Sequence, residues 1–427
     1  MKHTHRLLAF ALFSFAGIAV DAAEFSNWSS WRGPTGQGLA PAAQPPTAWS
    51  EEKNIRWKTR IPGLGFSTPI VWEDRIFLLT AIETSEERRA APAPAAEAPP
   101  AGGRRKGGGG PAAGPAPTKV YEFAVIALDR ASGKIVWQKT ARREVPHEGR
   151  HATTSFASAS PVTDGERLWV PFGSRGFYCY DLQGNLLWEN DLGDMKVRGA
   201  FGEGSSPVLA GDLLLIAWDH EEQSCIVALD KKTGAEVWRK NREERSSWST
   251  PLIVEVGGKL QAIVAASNRT RSYDAATGEP IWEASGLTGN VIPTPVVGHG
   301  MVYVMSGYSG SSIQAIKLTS RGDVTGTPNV VWQLRQSAPY APSPVLSGEL
   351  LFVSKSNDPY LSCVDALNGA FYYRDQALPG VRGIYASPLA ANGYVYIVGR
   401  EGTTLVIRDA ARFEIVATNK LNDKIDA

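Results

Sequence analysis

Short apolar runs separated by turns predict β-strands along most of the chain. The clearest unit, A-L-D-K-K-T-G-A-E-V-W at residues 228–238, has an apolar run ending at Asp230, a turn that closes at Gly234, and a second run that carries Trp238. The Asp carboxylate can accept hydrogen bonds from backbone N–H groups two residues on, and Gly supplies the positive φ of a bulged hairpin. The unit therefore predicts two antiparallel strands, with the Trp ring packed against the structure beside them.

The same unit recurs along the chain. It is closest at residues 127–137 and 272–282, looser at 180–188, and has Tyr in the Trp position at 364–373. A second signature, Ser or Thr followed by Pro and two apolar runs, begins at Thr68, Ser160, Ser206, Thr250, Thr294, Ser343 and Ser387. Its later prolines lie roughly 44 to 49 residues apart, which is the period of four-stranded propeller blades. The sequence therefore predicts an all-β propeller of antiparallel blades, each with strands a, b, c and d.

Tryptophan occupies one fixed position of strand d. The chain has 13 Trp residues, and six of them take this position: Trp57, Trp137, Trp188, Trp238, Trp282 and Trp332. Because the position repeats in register, we interpret these rings as wedges between blades rather than as an aromatic ligand site.

The amino terminus has the pattern of a signal peptide over residues 1–23. Lys2 and Arg6 precede an apolar run at residues 7–20, and small residues follow at Ala22 and Ala23. We expect the mature protein in the periplasm or outside the cell. No Cys follows the run and no second run of this kind occurs, so we expect neither a lipid anchor nor a transmembrane span after cleavage.

The remaining chain is predicted to form an N-terminal arm at residues 24–53 and one propeller at residues 54–427. Residues 84–118 interrupt it with an Ala, Pro and Gly-rich stretch that predicts a disordered insertion. The basic residues within the insertion leave a second interpretation open, a tether for an acidic partner.

The blade count is predicted as seven complete blades plus an incomplete eighth. Residues 54–59 have the pattern of a d strand without companions, and the chain ends at Ala427 just where the spacing places another Pro. We therefore expect the natural chain to continue by roughly 30 to 40 residues, enough to complete that blade. The competing arrangement is a seven-bladed ring in which residues 54–59 add to the outside of the seventh blade, beside residues 413–418.

The net charge bears on the class of partner, and the positions of the cysteines bear on whether they form disulfides. The formal net charge is +1 and the repeats contain no basic cluster, so nucleic acid is not expected as a partner. The three cysteines, Cys179, Cys225 and Cys363, fall at positions that should keep them apart, and we expect buried free thiols.

The ionisable residues gather on one predicted face. In an antiparallel a-b-c-d blade, the d-to-a and b-to-c loops share a face, which we call the loop face. Its candidate ligand or partner residues are His147, Glu148, His151, Arg175, Glu203, Asp219, His220, Glu221, Arg269, Lys355 and Arg400. Either these are solvated loop charges or they form a binding site. Because V-P-H-E-G-R-H lacks the spacing of a zinc helix, and because the chain has neither a nucleophile elbow nor a phosphate loop, the motifs indicate no catalytic residue and no metal ligand.

The A-x-D-x-x-T-G-K-x-x-W pattern at residues 127–137 and 228–238 resembles the tryptophan-docking repeat of the quinoprotein alcohol dehydrogenase-like superfamily. With W-R-G-P at Trp31 and F-G-E-G-S-S-P at Phe201, the whole chain is similar to exported bacterial PQQ-binding-like β-propeller repeat proteins. The resemblance implies two alternative functions. Quinoprotein dehydrogenases hold PQQ between an aromatic ring and a vicinal disulfide, with Ca²⁺ on Glu, Asn and Asp. Scaffold propellers of the BamB type bind protein partners through their face loops.

This chain has no adjacent Cys pair and no haem motif, which departs from the dehydrogenase pattern. We therefore expect an exported, non-catalytic propeller that binds a protein partner or small ligand through its loop face and requires no cofactor. The alternative is an oxidoreductase acting on an alcohol or sugar, with PQQ and Ca²⁺ as its cofactors.

Overall fold

The computed structural model describes residues 27–88 and 114–426, and in these ranges the chain folds almost entirely into β-strands. Seven antiparallel sheets of four strands follow one another in chain order, and one of them gains a fifth strand. Each sheet is a meander in which the four strands lie side by side in the order a, b, c, d. The predicted all-β, PQQ-like propeller fold is confirmed.

The strands of the first four sheets have the following bounds. The first comprises β1 (Ile70–Trp72), β2 (Arg75–Glu87), β3 (Lys119–Asp129) and β4 (Ile135–Glu144). The second comprises β5 (Val162–Thr163), β6 (Arg167–Pro171), β7 (Phe177–Asp181) and β8 (Leu186–Asn190). The third comprises β9 (Val208–Ala210), β10 (Leu213–Trp218), β11 (Cys225–Asp230) and β12 (Glu236–Asn241). The fourth comprises β13 (Leu252–Val256), β14 (Lys259–Val264), β15 (Thr270–Asp274) and β16 (Pro280–Ala284).

The last three sheets follow the same order. The fifth comprises β17 (Val296–Gly298), β18 (Met301–Ser306), β19 (Ser312–Lys317) and β21 (Val330–Leu334), while β20 (Gly322–Asp323) pairs with β16 of the fourth sheet. The sixth comprises β22 (Val345–Ser347), β23 (Leu350–Lys355), β24 (Asp358–Asp365) and β25 (Phe371–Ala377). The seventh comprises β26 (Leu389–Ala391), β27 (Tyr394–Val398), β28 (Thr403–Arg408) and β29 (Ile415–Lys420). Short 3₁₀ turns lie at Gly173–Arg175 and Arg198–Ala200.

The hydrophobic core lies between neighbouring sheets. Phe77 and Phe123 of the first sheet pack with Tyr178 of the second, and all three side chains are buried. Leu215 of the third sheet packs in the same way with Val264 of the fourth. Strands b and c are therefore apolar on both faces, which explains their nearly continuous hydrophobic sequence.

The c-to-d hairpin is built as the repeat predicts. In the third sheet the Asp230 carboxylate accepts the Thr233 hydroxyl at 2.9 Å and the N–H groups of Thr233 and Lys232 at 2.8 and 2.9 Å, and these bonds lower its pKa. Gly234 closes the turn at φ 73°. A bulge then falls beside Ala228, which pairs with Trp238. The bulge recurs at the same position in the c-to-d pairing of all seven sheets.

Each docked Trp ring lies on the turn glycine of the next sheet. The Nε1 group of Trp188 donates to the carbonyl of Lys231 at 3.1 Å, and a Cβ on Gly234 would lie 2.5 Å from the ring. Trp57, Trp137, Trp238 and Trp332 donate to the equivalent carbonyl, that of the residue after the turn Asp, at 2.9–3.3 Å. The turn therefore requires glycine twice over, for its positive φ and for the close approach of the ring.

Trp282 departs from this pattern because the next c-to-d connection is longer. The fifth sheet has Lys317 at the position that Asp takes in the first four sheets and in the sixth, and the chain leaves this position to form β20 before it enters β21. Trp282 packs instead with Leu318 and Val324, and it is buried. Its Nε1 has no hydrogen-bond partner among the described residues.

Residues 54–59 form no strand, contrary to the prediction for this segment. None of the described strands lies beside it to supply a ladder, and it does not join β29 as the seven-bladed alternative required. Trp57 nevertheless docks on the first sheet, where its Nε1 lies 3.0 Å from the Arg130 carbonyl oxygen. The segment therefore shares the ring contact of a d strand without its backbone pairing, and the incomplete eighth blade stays a prediction.

Residues 40–61 lie between the seventh and first sheets. Trp49 stacks on Tyr396 of the seventh sheet, with ring centroids 6.3 Å apart, and its backbone N–H donates to Asn419. Farther along, Trp57 and Ile61 pack on Leu78 and other residues of the first sheet. One irregular segment thus contacts the facing sides of the first and last sheets.

The disordered insertion was predicted to begin at residue 84, but the structure continues strand β2 through the first four of its residues. Residues 84–87 belong to β2, since Thr84 donates its hydroxyl to the Val120 carbonyl and Glu87 pairs with Lys119. Residues 114–118 also lie within the described ranges. The part of the predicted insertion at residues 89–113 falls outside the described residues, as does the predicted signal peptide.

The three cysteines are free and buried, as predicted. Cys179 and Cys363 take the small-residue position opposite the aromatic position of strand d, where they pair with Trp188 and Tyr373. Burial raises the pKa of both thiols to about 12, so neither is a nucleophile at neutral pH.

Candidate functional site

A ladder of hydroxyl groups connects the sheets around the central channel. The Ser or Thr that precedes the repeat Pro accepts a hydrogen bond from the backbone N–H of its counterpart in the preceding sheet. Six such bonds, 2.9–3.2 Å long, run in order through Thr68, Ser160, Ser206, Thr250, Thr294, Ser343 and Ser387. Strand a of each sheet starts just after its ladder residue. The residues just before the ladder are therefore held beside the channel at equivalent positions in every sheet.

The wall of the central cavity comes from one position of the repeat. The cavity has a volume of about 630 Å³. The residue two places before each ladder hydroxyl lines it in all seven sheets: Phe66, Ser158, Gly204, Trp248, Ile292, Ala341 and Tyr385. Four large side chains (Phe66, Trp248, Ile292 and Tyr385) thus share the wall with three small residues, and the small residues of the second and third sheets leave the space open.

The N-terminal arm closes the end of this cavity that lies away from the loop face. Trp28 pairs with Val71 of the first sheet through two backbone hydrogen bonds of 2.7 and 2.8 Å. Ser29 accepts from Thr163 of the second sheet, and Gln37 accepts from Val297 of the fifth. These contacts lie beyond the starts of the a strands, away from the loop face. Trp28, Trp31 and Arg32 therefore form the cavity floor, and its mouth opens on the loop face.

Arg32 carries a buried charge at this floor. Its side chain is among those lining the cavity, and the residue is only 3% exposed. Nη2 donates to the carbonyls of Gln37 and Pro344, which ties the arm to the sixth sheet. Nε and Nη1 have no hydrogen-bond partner within the described ranges. Burial lowers the pKa of the guanidinium to about 9.

His147 and Glu148 lie in one cluster on the loop face with Arg175. Arg175 Nη2 lies 2.6 Å from His147 Nδ1, so this nitrogen accepts, and Nε2 donates to the Met195 carbonyl at 2.7 Å. Arg175 also pairs with the carboxylates of Glu144 and Asp194. Both His147 nitrogens are therefore occupied, which leaves no lone pair for a metal ion.

Glu148 has its own backbone partner in this cluster. Its Oε2 accepts the Val197 N–H at 3.1 Å. Burial raises the pKa of the Glu148 carboxyl, against a smaller lowering from that hydrogen bond. The side chain thus holds the loop between the second and third sheets.

Glu203 joins the cluster to the cavity. Its two oxygens accept the N–H and the hydroxyl of Ser174, at 2.7 and 2.6 Å. A Cβ on Gly173 would lie 1.7 Å from Glu203 Oε2, so only glycine permits this contact. Burial raises the pKa of the Glu203 carboxyl. Glu203 and His151 are the two candidate residues whose side chains line the cavity.

Asp219, His220 and Glu221 stabilise the third and fourth sheets. The Asp219 carboxylate holds Arg242 through bonds of 2.7 and 3.1 Å, and both side chains are almost fully buried. His220 Nδ1 accepts the Lys196 N–H at 3.1 Å. Glu221 accepts from both the N–H and the hydroxyl of Ser246. These partners bring the Asp219 loop against the His147 cluster.

The remaining candidates lie over other sheets. Arg269 pairs with Glu283 and Asp323, at 2.9 and 2.7 Å, and Lys355 pairs with Asp375 at 2.9 Å. Arg400 pairs with Asp426 and lies over the Tyr385 ring, 4.2 Å from its centroid. The structure does not bring these three residues to the His147 cluster.

Sequence reasoning missed the aromatic wall of the cavity. Trp248, Tyr308, Tyr340 and Tyr385 line it, and the arm supplies Trp28 and Trp31. Part of this set was detectable, because an aromatic residue stands two places before the Ser/Thr-Pro pair in F-S-T-P, W-S-T-P and Y-A-S-P.

PQQ with Ca²⁺ does not fit the donor set of this cavity. Within the described residues, no group of three or more His, Cys, Asp and Glu side chains is placed to hold a metal ion. The carboxylates that line the cavity already have partners: Ser174 donates to Glu203, and Arg400 donates to Asp426. No cysteine is among the lining residues, so the cavity has no disulfide of the kind that the dehydrogenase resemblance implies.

The sequence profile described as "Outer membrane protein assembly factor BamB" matches residues 122–375 and 222–424, which together exceed half of the chain. The chain belongs to this family. A protein of that description from Francisella salina is 28% identical over 128 residues, which cover 28% of this chain and 23% of that relative. The chain thus matches less than a quarter of the relative's length.

Solved structures of the family and of dehydrogenases share the fold. BamB from Moraxella catarrhalis aligns with a TM-score of 0.52 at 16% identity, over 71% of this chain and 86% of that one. The quinohemoprotein alcohol dehydrogenase ADHIIG from Pseudomonas putida HK5 aligns with a TM-score of 0.54 at 10% identity, over 94% and 74%. A europium-containing methanol dehydrogenase gives 0.50 at 12%, over 90% and 89%. Identities this low establish the fold alone.

The described residues contain no helix with the length and hydropathy needed to cross a bilayer.

Proposed function

We propose that this protein is an exported, non-catalytic propeller that binds a small ligand at its loop face, in the central cavity. The observation that carries the proposal is the wall itself: seven equivalent positions and the N-terminal arm enclose about 630 Å³ of largely apolar space that opens on one face. Concave, mainly apolar cavities with a few polar groups are typical of ligand sites.

The loop-face chemistry supports binding rather than catalysis. A general acid or base needs an oxygen or nitrogen that can reach a substrate proton. His147 and Glu148 instead bond Arg175 and backbone groups, and Asp219 is buried against Arg242. These residues support the loops around the mouth of the cavity.

A protein partner on the same face is the second candidate, and the family supports it. The matching profile is named for an assembly factor. A partner would contact the loops that carry His151 and Arg400 around the mouth.

The proposed export to the periplasm or out of the cell rests on the sequence of residues 1–23. The proposed division of the chain into arm and propeller rests on the arm's contacts with the sheets.

Filling the cavity should abolish ligand binding without unfolding the protein. Gly204 lines the cavity, its φ is not in the left-handed region, and an added Cβ would meet only Trp248, at 3.5 Å. The neutral dye N-phenyl-1-naphthylamine should bind the wild type saturably, with increased fluorescence. We expect Gly204→Phe to weaken this binding at least tenfold.

Gly289→Phe is the matched control, because Gly289 is outside the cavity lining and an added Cβ would meet only Ser309, at 3.6 Å. It should bind the dye like the wild type. Equal binding by both variants, or no saturable binding by the wild type, would contradict the cavity as a ligand site.

The alternative function is a PQQ-dependent or related oxidoreductase acting on an alcohol or sugar. Titration of the protein with PQQ and Ca²⁺ tests it, followed by dye reduction with a panel of alcohols and sugars. We expect neither saturable PQQ binding nor turnover, because the cavity lacks the donor set for the metal ion. Tight PQQ binding with turnover would overturn the non-catalytic proposal.

A further inference from the structure

We propose that residues 195–198, which we call the latch, form a proton-sensitive element of the loop between the second and third sheets. The latch stays closed while His220 is neutral, and it opens when His220 takes up a proton. Three features support this: side chains hold the latch, hydrogen bonds fix the neutral form of His220, and the latch leads into the wall of the central cavity. The opening itself does not depend on the proposed function.

The latch is held by side chains of the neighbouring loops, and it belongs to no strand. Its four backbone N–H groups donate, in chain order, to the side chains of Ser174, His220, Glu148 and Ser246, at distances of 2.7–3.1 Å. The carbonyl of Met195 accepts from His147 Nε2 at 2.7 Å. The carbonyl of Lys196 accepts from the Glu221 N–H at 2.8 Å. The position of the latch therefore depends on whether these side chains can keep accepting.

The hydrogen bonds of His220 fix its protonation state. Nδ1 accepts the Lys196 N–H at 3.1 Å, and Nε2 lies 3.1 Å from the Gln223 carbonyl oxygen, to which it must donate. A neutral imidazole has one acceptor and one donor nitrogen, whereas the protonated ring has two donors. His220 is only 6% exposed, so a charged ring would face an N–H donor with little access to water. The closed latch therefore disfavours the protonated ring.

The surroundings of His220 do not offset this cost, because both ring nitrogens face backbone groups. The acids on its own loop and on the next one have other partners: Asp219 pairs with Arg242, and Glu244 pairs with Arg271. The charged and titratable side chains on the elements packed around His220 are His147, Glu148, Asp194, Lys196, Arg198, Asp219, Glu221, Glu222, Arg242, Glu243, Glu244 and Arg245.

His147 is the weaker proton sensor of the two histidines. Its Nδ1 accepts from Arg175 Nη2 at 2.6 Å, so this ring is also neutral in the closed latch. Asp194 Oδ1 lies 3.6 Å from the same nitrogen, however, and its charge would stabilise a protonated ring. The cost of protonation is therefore smaller at His147 than at His220.

Two carboxyl groups of the cluster act in the opposite sense. Burial raises the pKa of Glu148, which accepts from the latch, and of Glu203, which accepts from the hydroxyl of Ser174. A carboxyl whose pKa is higher in the closed latch than in water binds its proton more tightly there. Acid thus favours the closed latch through these two groups. Opening at low pH has to come from a histidine, and a variant at His220 separates the two effects.

The latch leads directly into the wall of the central cavity. Arg198 begins a 3₁₀ turn that ends at Ala200, and the next three residues, Phe201, Gly202 and Glu203, line the cavity. Opening of the latch should displace this part of the wall and weaken ligand binding at low pH. This consequence rests on the proposed function.

Amide hydrogen exchange at two pH values tests the latch without any ligand. After correction for intrinsic exchange rates, the amides of residues 195–198 in the wild type should exchange about tenfold faster at pH 5.5 than at pH 7.5. The factor follows if the closed latch excludes the protonated ring and the open latch lets it titrate with the ordinary imidazole pKa of about 6.5. Mass spectrometry of the corresponding peptides measures the ratio.

His220→Asn removes the titrating ring and keeps an acceptor near the position of Nδ1, so its ratio should fall to about one. His220→Gln is the second variant of this kind and should behave in the same way. His299→Asn is the matched control, because His299 is exposed and contacts the Gly348 carbonyl at the far side of the ring of sheets. It should keep the tenfold ratio.

Equal exchange of the wild-type latch at the two pH values would overturn the inference, and so would a tenfold ratio that persists in His220→Asn or His220→Gln. The dye N-phenyl-1-naphthylamine tests the consequence for the cavity, and the wild type should bind it several-fold more weakly at pH 5.5 than at pH 7.5. An opening latch with unchanged dye affinity would contradict the link to the cavity wall. Absence of dye binding at both pH values would contradict the proposed function, while the exchange ratio would still decide the latch.

Discussion

Replacing Trp332 by alanine should lower the free energy of unfolding by about 3 to 5 kcal/mol, the usual range for deletion of a buried aromatic side chain. Trp332 is 9% exposed, it packs over the turn at Gly369, and its Nε1 donates to the Ala366 carbonyl at 2.9 Å. The substitution therefore leaves a cavity between the fifth and sixth sheets. Urea unfolding monitored by circular dichroism measures the change.

Val331→Ala is the control for this prediction. Val331 precedes Trp332 on the same strand but is 41% exposed, and its loss should cost no more than about 0.5 kcal/mol. If Trp332→Ala proved as mild as Val331→Ala, the ring would not be a wedge between sheets, and the structural explanation of the repeat would be wrong.

Replacing Asp219 by alanine should destabilise the protein by about 3 to 5 kcal/mol, because it leaves the Arg242 guanidinium buried without its counter-ion. The side chains of Asp219 and Arg242 are 1% and 0% exposed, and Tyr273 adds one hydrogen bond to Arg242 at 2.7 Å. Urea unfolding again measures the loss.

The double variant Asp219→Leu/Arg242→Met separates the ion pair from its packing. Replacing both charges with apolar groups of similar size is often close to neutral, so this variant should be more stable than Asp219→Ala. If the double variant lost more stability than the single one, the pair would contribute net stability. If Asp219→Ala were neutral, the Asp219–Arg242 pair would contribute nothing to the stability of the sheets, contrary to this prediction.

The repeat made most of the fold predictable from sequence. The Ser/Thr-Pro pair recurs in all seven sheets, and the Asp and Gly of the c-to-d turn and the Trp of strand d each recur in five of them, so local patterns were sufficient. The longer connection after Lys317 shows the limit of this reasoning. Its strand β20 adds to β16 of a different sheet, and nothing within residues 318–329 specifies that distant neighbour.

The candidate site was less predictable, because sequence places charges on a face without identifying their partners. Asp219 and Arg242 lie 23 positions apart, and only the folded sheets bring them into contact. The arm presents the same difficulty on a larger scale. Its position depends on hydrogen bonds to several sheets, such as those between Trp28 and Val71 and between Gly38 and Ala390.

The most direct test of the account is a crystal structure of the protein soaked with 6-bromo-2-naphthol, a neutral aromatic ligand whose bromine can be located by anomalous scattering. The account predicts a bromine position inside the central cavity, between the arm at Trp31 and the wall at Trp248 and Tyr385. Bromine found only on the outer strands of the sheets, or at no ordered position while the ligand binds in solution, would contradict the central cavity as the binding site.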